Sequence, residues 1–194
     1  MLNRNFALAG LTLALAGIPA MAAAPAPVAP SWTVDPASST LGFSGTYNGT
    51  PFTGKFSEWD ARIHFDPDDL ANSLAEVTID TASGGTGDPS QDEHLPGPDW
   101  FSVHDFPQAS FKTESISSEA PGSYVAEGTL TIRDISLPVS LPFTLAIEGD
   151  VATMAGSLTM DRTKFGVGQG AYGGGTMVAT TVTVNVELTA TRGG

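Results

Sequence analysis

Residues 123–149, SYVAEGTLTIRDISLPVSLPFTLAIEG, decide the fold of this chain. Apolar side chains occupy even positions up to Ile132 and odd positions from Val139 onward, and mostly polar residues separate them. An alternation of period two is typical of an antiparallel strand with one dry face and one wet face. The segment 134–136 between the two runs predicts a turn. The stretch therefore predicts a β-hairpin with a continuous apolar inner face.

Similar alternating runs, rich in Val, Thr, Ile and Phe, extend on both sides of this stretch. The Asn48-Gly49 pair between two of the runs is a strong signal for a tight hairpin. About eight sequential strands with short links favour a closed antiparallel barrel, because closure removes the sheet edges. A sandwich of two sheets is the alternative. The strands are predicted near 32–46, 52–66, 74–82, 109–118, 123–134, 137–149, 151–161 and 176–191.

The beginning of the chain has the pattern of a bacterial secretory signal peptide. A short leader with one arginine precedes an apolar run that is shorter than a transmembrane helix requires. Small residues around Ala22 form a cleavage site. We predict a signal peptide over 1–22, a Pro/Ala-rich tether over 23–30 and one β-barrel domain over 31–192. The mature form is then expected to begin at Ala23, or as a second choice at Pro25, to be periplasmic and to lack a membrane span. A retained N-terminal anchor is the alternative.

The composition excludes several classes of function. The 194 residues include no cysteine, so thiolate catalysis and cysteine-ligated metals are excluded, and the core must hold the domain together without disulfides. The net charge is −13 with only 8 Lys and Arg residues. Nucleic acids and anionic membrane surfaces are therefore poor partners, because their phosphates would be repelled.

Two of the three histidines lie in a segment between predicted strands, 92–111, DEHLPGPDWFSVHDFPQASF. A metal site on His94 and His104 is disfavoured, because prolines separate them and no helical face brings them together. Acid–base catalysis by His94 is disfavoured too, because the pattern suggests no nearby nucleophile or oxyanion donor. The apolar residues of the segment indicate either a plug of the core or the entrance of an apolar cavity. We expect no metal, no other cofactor and no enzymatic activity.

A second interruption, 162–175, RTKFGVGQGAYGGG, is too rich in glycine for a regular strand. It is not a phosphate-binding loop, because no Gly-Lys-Ser/Thr sequence follows the glycines. We interpret it as a flexible hairpin or lid.

Several segments, in this order, resemble the successive motifs of the YceI-like domain family. The resemblance covers roughly residues 31–191 and implies an extended, lipocalin-like antiparallel β-barrel with a short helical or loop segment near its mouth. Family members are mostly periplasmic, and the barrel is expected to hold a long amphiphile such as a polyisoprenoid, an isoprenoid quinone or a fatty-acid-type amide. The segments are WTVDPASSTLGFS, GKFSEWDARIHFDP, the 92–111 stretch, GTLTIRDISLPVSLPF and MDRTKFGVG.

Pattern and resemblance together place the ligand contacts on the barrel wall, the lip at 92–111 and the glycine-rich loop. Two residues depart from the family pattern: Asp134 stands where Gly is common, and Lys164 stands where an acid is common. Lys164 joins His94, Arg133 and Arg162 as a candidate to bind a polar head group. The candidate ligand-binding residues are Phe43, Phe56, Phe65, His94, Leu95, Trp100, Phe101, Phe106, Phe111, Leu130, Ile132, Arg133, Leu141, Phe143, Leu145, Arg162 and Phe165.

These features predict a periplasmic carrier that shields an amphiphilic lipid or an isoprenoid quinone from water. We expect a neutral or weakly polar head group, because the net charge of −13 repels a diphosphate. The alternative is a solid-core barrel that acts in protein interaction or in a stress response without a bound lipid. A homodimer is compatible with either function.

Overall fold

The computed structural model describes residues 29–193, so the predicted signal peptide and most of the predicted tether lie outside the described residues. No helix among those that are described has the length and apolar character needed to cross a bilayer. The elements are β1 (Ser31–Val34), β2 (Thr40–Tyr47), β3 (Thr50–Phe56), β4 (Trp59–His64), β5 (Leu74–Asp80), β6 (Gly84–Gly85), α1 (Pro89–Asp92), β7 (Gln108–Ala120), β8 (Ser123–Ile132), β9 (Ile135–Glu148), β10 (Val151–Asp161) and β11 (Thr181–Arg192), with short 3-10 turns between some of them.

The strands form a closed antiparallel barrel. Each strand from β7 to β11 pairs with the next in sequence, and β1 closes the ring by pairing with both β11 and β4. β1 and β2 are two parts of one bent strand, because both pair with β11. β3 with β4, and β5 with β6, make two further bent strands. With each bent strand taken once, the ring has the predicted eight strands, and the sandwich alternative is wrong.

The largest differences between the predicted strand boundaries and the structure lie in three places. The run at 32–46 is interrupted by a 3-10 turn at Pro36–Ser38, which Asp35 caps by accepting the amide of Ala37 at 3.0 Å. The run at 52–66 is interrupted between β3 and β4, and the last strand begins at Thr181 instead of 176. In each case the alternation of side chains continued past the point where the backbone leaves the ladder, so periodicity alone did not reveal the break.

The inner and outer faces follow the predicted alternation. On β8 the even positions from Tyr124 to Ile132 are buried, and on β9 the odd positions are partly buried while the even positions are exposed. Asn48 and Gly49 form the predicted tight turn, with φ of 47° and 79°. The turn between β8 and β9 lies one residue earlier than predicted, because the left-handed residue is Arg133, with φ of 58°.

The two ends of the barrel differ. The end that we call upper carries two long segments, 86–107 and 162–180, whereas the lower end has the shorter connection 65–73 and two tight turns. An apolar cluster around Trp32 and Phe65 closes the lower end, and the Trp32 indole donates a hydrogen bond of 2.9 Å to the Phe65 carbonyl.

The last two residues of the predicted tether belong to the barrel. The Pro30 carbonyl accepts the Phe65 amide at 3.0 Å, and the Ala29 carbonyl lies 3.0 Å from Nδ1 of His64. Ala29 is also buried. Ala29 and Pro30 therefore pack with the barrel, because this segment continues the pairing along β4.

Phe143 on β9 tests the assignment of the inner face. Its ring stacks on Tyr124 at 5.4 Å and meets the edge of Phe65 at 6.5 Å. We expect Phe143→Ala to lower the free energy of unfolding by about 3 kcal/mol, because the truncation removes buried ring contacts. Thr144→Ala on the exposed outer face should change it by less than about 0.5 kcal/mol. Urea unfolding of both variants measures this, and equal effects would contradict the assignment.

Candidate functional site

The barrel encloses a cavity of about 500 Å³. A volume of this size suits a ligand of several hundred daltons, and pockets of this kind are usually lined by apolar groups with a few polar ones. An eight-stranded barrel is just wide enough for side chains to fill, so a cavity requires small inward residues. Here they are alanines on the cavity wall: Ala75, Ala109, Ala126, Ala152 and Ala190.

The structure brings most of the predicted site residues to this cavity. The wall residues come from the inner faces of the strands, and the lip residues come from segment 86–107. Contact with a ligand stays a prediction for each of them. The fourteen on the cavity wall are Phe43, Phe56, Phe65, His94, Leu95, Trp100, Phe101, Phe111, Leu130, Ile132, Leu141, Phe143, Leu145 and Arg162.

Three predicted residues lie away from the cavity. Phe165 is 2% exposed and packs in the core cluster beside it. Arg133 points into the segments of the upper end, where Nη1 lies 2.8 Å from the carbonyl of Pro98 and 3.2 Å from that of Gly166. The Phe106 ring lies under this guanidinium at 5.1 Å. These side chains lie at the junction of the two upper segments and are not part of the cavity lining.

Arg162 lines the cavity but has no free donor for a head group. The side chain is 3% exposed, and burial lowers its pKa, an effect that the Asp161 carboxylate opposes. All five of its N–H groups point at backbone carbonyls of the glycine-rich loop and the residues after it, which makes it the centre of that loop. The bonds are Nε to Ala179 (3.0 Å), Nη1 to Val167 (2.7 Å) and Gly168 (3.1 Å), and Nη2 to Tyr172 and Val178 (both 2.7 Å).

The glycines of this loop allow the backbone to wrap closely around the guanidinium. A Cβ on Gly168 would lie 1.9 Å from Nη1 of Arg162, and Gly168 has φ of 77°. The loop is therefore an ordered cap built on one arginine, whereas the sequence predicted a flexible hairpin or lid. Lys164, the other basic candidate of this loop, is exposed and is not part of the cavity lining.

The cavity is polar at its upper end. Segment 86–107 supplies most of the polar lining groups, and Tyr172 of the glycine-rich loop adds another. Toward the lower end the lining includes Thr113, whose hydroxyl is occupied because it accepts the Ala75 amide at 2.8 Å. A bound amphiphile would therefore find its polar partners at the upper end, among Thr86, Ser90, Gln91, Glu93 and His94.

The acids of segment 86–107 hold backbone amides. Asp88 caps α1 by accepting the Ser90 amide at 2.9 Å. Asp92 accepts the amides of Thr86 at 2.6 Å and Gly87 at 3.0 Å, and the first of these bonds is the main reason that its pKa is lowered. These carboxylates stabilise the conformation of segment 86–107.

The three histidines have different surroundings. His94 is half-exposed at the rim, with its ring 6.2 Å from that of Tyr172, and His104 is fully exposed beside Asp105. His64 lies at the lower end, on β4. Within residues 29–193 no three His, Asp or Glu side chains come together as a metal site would require.

Trp100 carries an unusual polar atom on the cavity wall. Its ring lies 5.2 Å from the Arg162 guanidinium and 5.1 Å from the Tyr172 ring. Its Nε1 is buried and is, in the described part of the chain, the one buried side-chain nitrogen or oxygen without a hydrogen-bond partner. A buried donor left unpaired is unfavourable by about 1–3 kcal/mol, so it indicates a place where an acceptor is missing.

Sequence reasoning missed part of the lining. Met154, Leu158 and Met160 occupy even positions of β10 and face the cavity, and strict application of the alternation would have found them. Tyr172 and Met177 come from the irregular loop, where only their bulk among glycines was a signal.

Comparison with known proteins places this geometry in a family. Residues 32–190 match the model of the YceI-like domain. A UPF0312 protein of Photorhabdus laumondii is 33% identical over 109 residues, covering 56% of this chain and 53% of that protein. One from Yersinia enterocolitica is 32% identical over 110 residues, covering 57% and 54%. The chain thus matches these curated relatives over about half of their length.

Solved structures agree on the fold. BcnA of Burkholderia cenocepacia superposes with a TM-score of 0.79 at 34% identity, over 81% of this chain and 99% of that one. A polyisoprenoid binding domain from Saccharophagus degradans gives a TM-score of 0.66 at 14% identity, over 84% and 99%. At that identity the second likeness concerns the fold alone.

Arg162→Lys tests whether this arginine holds the upper end together. Lysine has three donors on a single nitrogen and cannot satisfy five carbonyls, so we expect a loss of unfolding free energy on the order of 3 kcal/mol. We also expect faster proteolysis within 166–178. Lys164→Ala, the exposed neighbour, should change stability by less than about 0.5 kcal/mol. Urea unfolding and limited proteolysis measure both effects, and a neutral Arg162→Lys would show that the network is dispensable.

Proposed function

Since this chain belongs to the YceI-like domain family, we propose that it is a periplasmic carrier that holds the apolar chain of an isoprenoid or acyl amphiphile in its barrel. The periplasmic location rests on the predicted signal peptide, and the binding role rests on the cavity. The polyisoprenoid binding described for the domain from Saccharophagus degradans is consistent with this proposal.

The observation that carries the proposal is an apolar cavity of about 500 Å³ whose polar groups, apart from Thr113, lie mainly at one end. Burial of each methylene in such a cavity contributes about 0.8 kcal/mol of transfer free energy. Lost rotational and association entropy offsets much of this gain. A chain of a few isoprene units therefore has enough driving force to bind without polar contacts, and the cavity favours this function over a solid-core interaction module.

The head group is expected at the upper end and to be uncharged. Arg162 has committed its donors to carbonyls, and Glu93 is the carboxylate of the lining, so an anionic head would meet repulsion without a free cation. The net charge of −13 acts in the same direction. A quinone or an amide, with carbonyl acceptors and no net charge, fits these conditions better than a prenyl diphosphate.

Trp100 supplies a donor for such a carbonyl. Its Nε1 is unpaired and belongs to a ring on the cavity wall at the polar end. The nitrogen has almost no surface open to water, so an acceptor must reach it with a small shift of its neighbours. The Tyr172 ring lies 5.1 Å from the Trp100 ring, so its side chain is a neighbour that would shift, while its backbone stays bonded to Arg162.

Binding is favoured over catalysis at the same end of the cavity. His94 lies 3.6 Å from Glu93, a pair that resembles part of a catalytic dyad. The nearby Ser90 hydroxyl, however, donates to Asp88 at 2.7 Å and not to His94. Without a hydroxyl activated by the imidazole, the pair lacks the nucleophile that acyl transfer needs.

The proposal is tested by the lipid that copurifies with the protein. Mass spectrometry of an organic extract should recover an isoprenoid or acyl amphiphile in near-stoichiometric amount from the wild type. Ala126→Phe places a ring in the cavity and should abolish recovery, whereas Val125→Phe, one position along β8, should not. Circular dichroism verifies that both variants fold. A wild-type extract without amphiphile, or equal recovery from all three proteins, would contradict the carrier function.

The head group is tested by removal of one hydrogen-bond donor. Trp100→Phe keeps an aromatic ring but removes N–H, so we expect about tenfold weaker binding of a prenyl quinone, within the range for one buried hydrogen bond. Binding of a prenyl hydrocarbon without a head group should be unchanged. Trp59→Phe, also on the cavity wall, is the matched control and should affect neither ligand. Fluorescence titration at low and moderate salt measures this, and affinity that collapses with salt would contradict an uncharged head.

A further inference from the structure

The backbone ladder of the barrel wall is interrupted between β9 and β10. These strands pair from Glu148 with Val151 as far as Phe143 with Gly156, and no further pairs are formed between them in the described residues. β9 nevertheless stays paired with β8 from Ile135 to Thr144, and β10 stays paired with β11 along its whole length. We call the unpaired stretch, between 135–142 of β9 and 157–161 of β10, the seam.

Two prolines in β9 explain why the ladder stops. The Pro142 carbonyl oxygen lies 3.0 Å from the Cβ position of Gly156, so it points toward β10. Leu145, by contrast, donates its amide to the Gly122 carbonyl on the β8 side at 2.8 Å. Backbone groups alternate in direction along a strand, so the even residues of β9 face β10. Pro138 and Pro142 therefore remove two donors from the edge that would pair with β10.

The cavity reaches the seam from inside. Leu141 on β9 and Leu158 and Met160 on β10 line the cavity on either side of it. Pairing is also partial between β3 and β6 and between β5 and β7, but there a connecting segment, 86–107 or 65–73, adjoins the unpaired part of the strand. At the seam, apolar side chains rather than a ladder separate the interior from solvent.

From this arrangement we propose that the seam is a lateral opening through which an apolar chain enters and leaves the barrel. Passage there would break no hydrogen bond between β9 and β10, and methionine is well suited to move aside because it is unbranched and flexible. The seam lies toward the upper, polar end, so the tail can cross the wall while the head stays at the rim. This access route goes beyond the carrier function itself.

The alternative route, over the upper end, is held shut by hydrogen bonds. The amides of Gly168 and Gln169 both donate to the Asp99 carbonyl at 2.7 Å and join the two upper segments. Arg133 adds a second connection between Pro98 and Gly166. Opening this end would break several bonds at once, whereas opening the seam breaks none of the ladder.

The first test restores the missing donors. Pro138→Thr with Pro142→Thr returns two N–H groups to the edge that faces β10, on exposed outer positions where Thr suits a strand. The probe is N-phenyl-1-naphthylamine, a neutral apolar fluorophore, followed by stopped-flow mixing. We expect association and dissociation each to slow by about tenfold, the effect of one or two added hydrogen bonds, with Kd unchanged within about twofold. Pro121→Thr, in the turn at the lower end, should leave both rates unchanged.

The second test closes the seam covalently. It tests the access route even if the proline variant forms no new hydrogen bonds between β9 and β10. Because the chain has no cysteine, Ser140→Cys with Thr159→Cys can be joined by a short bis-maleimide across the seam. The control joins Ala146→Cys to Thr153→Cys, a position where the strands already pair. Exchange about tenfold slower in the joined seam alone, with unchanged Kd, is the expected result. Wild-type exchange rates in the joined seam would overturn the proposal.

The two proposals fail separately. The neutral probe reports access to the cavity whatever the natural ligand is. If the probe binds but no amphiphile is recovered from the protein, the carrier function is wrong and the exchange rates still decide the role of the seam.

Discussion

The short strand β1 pairs on one side with β11 and on the other with β4, and this closure is the constraint on which the other features depend. Closure directs every inward side chain toward a common interior, so the period-two pattern of each strand becomes the lining of one container. Alanines at five inward positions then decide that the interior is a cavity and not a solid core. Such a cavity can bind an apolar chain, because burial against an apolar wall is non-directional and does not require one particular chain conformation.

The upper end of the cavity has few charged groups, and their hydrogen-bond partners determine whether they could bind a ligand. A guanidinium in an apolar cavity would ordinarily attract an anion, and the sequence supported Arg162 as a head-group ligand. The five carbonyls around it remove that capacity and use the charge to order the glycine-rich loop instead. Among the described residues, the Trp100 N–H is the buried side-chain donor that is left unpaired, and a neutral donor suits the neutral head group that we propose. The proposed preference for a neutral head group therefore depends on two facts: backbone carbonyls bind the Arg162 donors, and no group of residues 29–193 binds the Trp100 donor.

The sequence predicted the barrel, the strand count and fourteen residues of the cavity wall, because alternation reports which face is dry wherever a strand is regular. It placed Phe143 and Leu130 correctly on the inner face. It did not predict the breaks at Pro36–Ser38 and between β3 and β4, because side-chain alternation continues across a bend. The sequence also did not predict the hydrogen-bond partners of Arg162. A basic residue beside glycines is compatible with an anion-binding site and with the centre of an ordered loop. Only the hydrogen-bond partners separate these possibilities.

The prolines of β9 serve two needs that usually conflict. An unpaired strand edge invites pairing with another chain, and proteins protect such edges with residues that cannot extend a ladder. Pro138 and Pro142 leave the β10-facing edge of β9 without two of its donors, so the edge is a poor template for a foreign strand. The same missing donors leave the wall beside Leu141 and Met160 without a ladder. A container that is sealed by hydrogen bonds everywhere would hold its ligand but exchange it slowly. Removing donors at one place allows exchange there, while the edge so created remains protected from association.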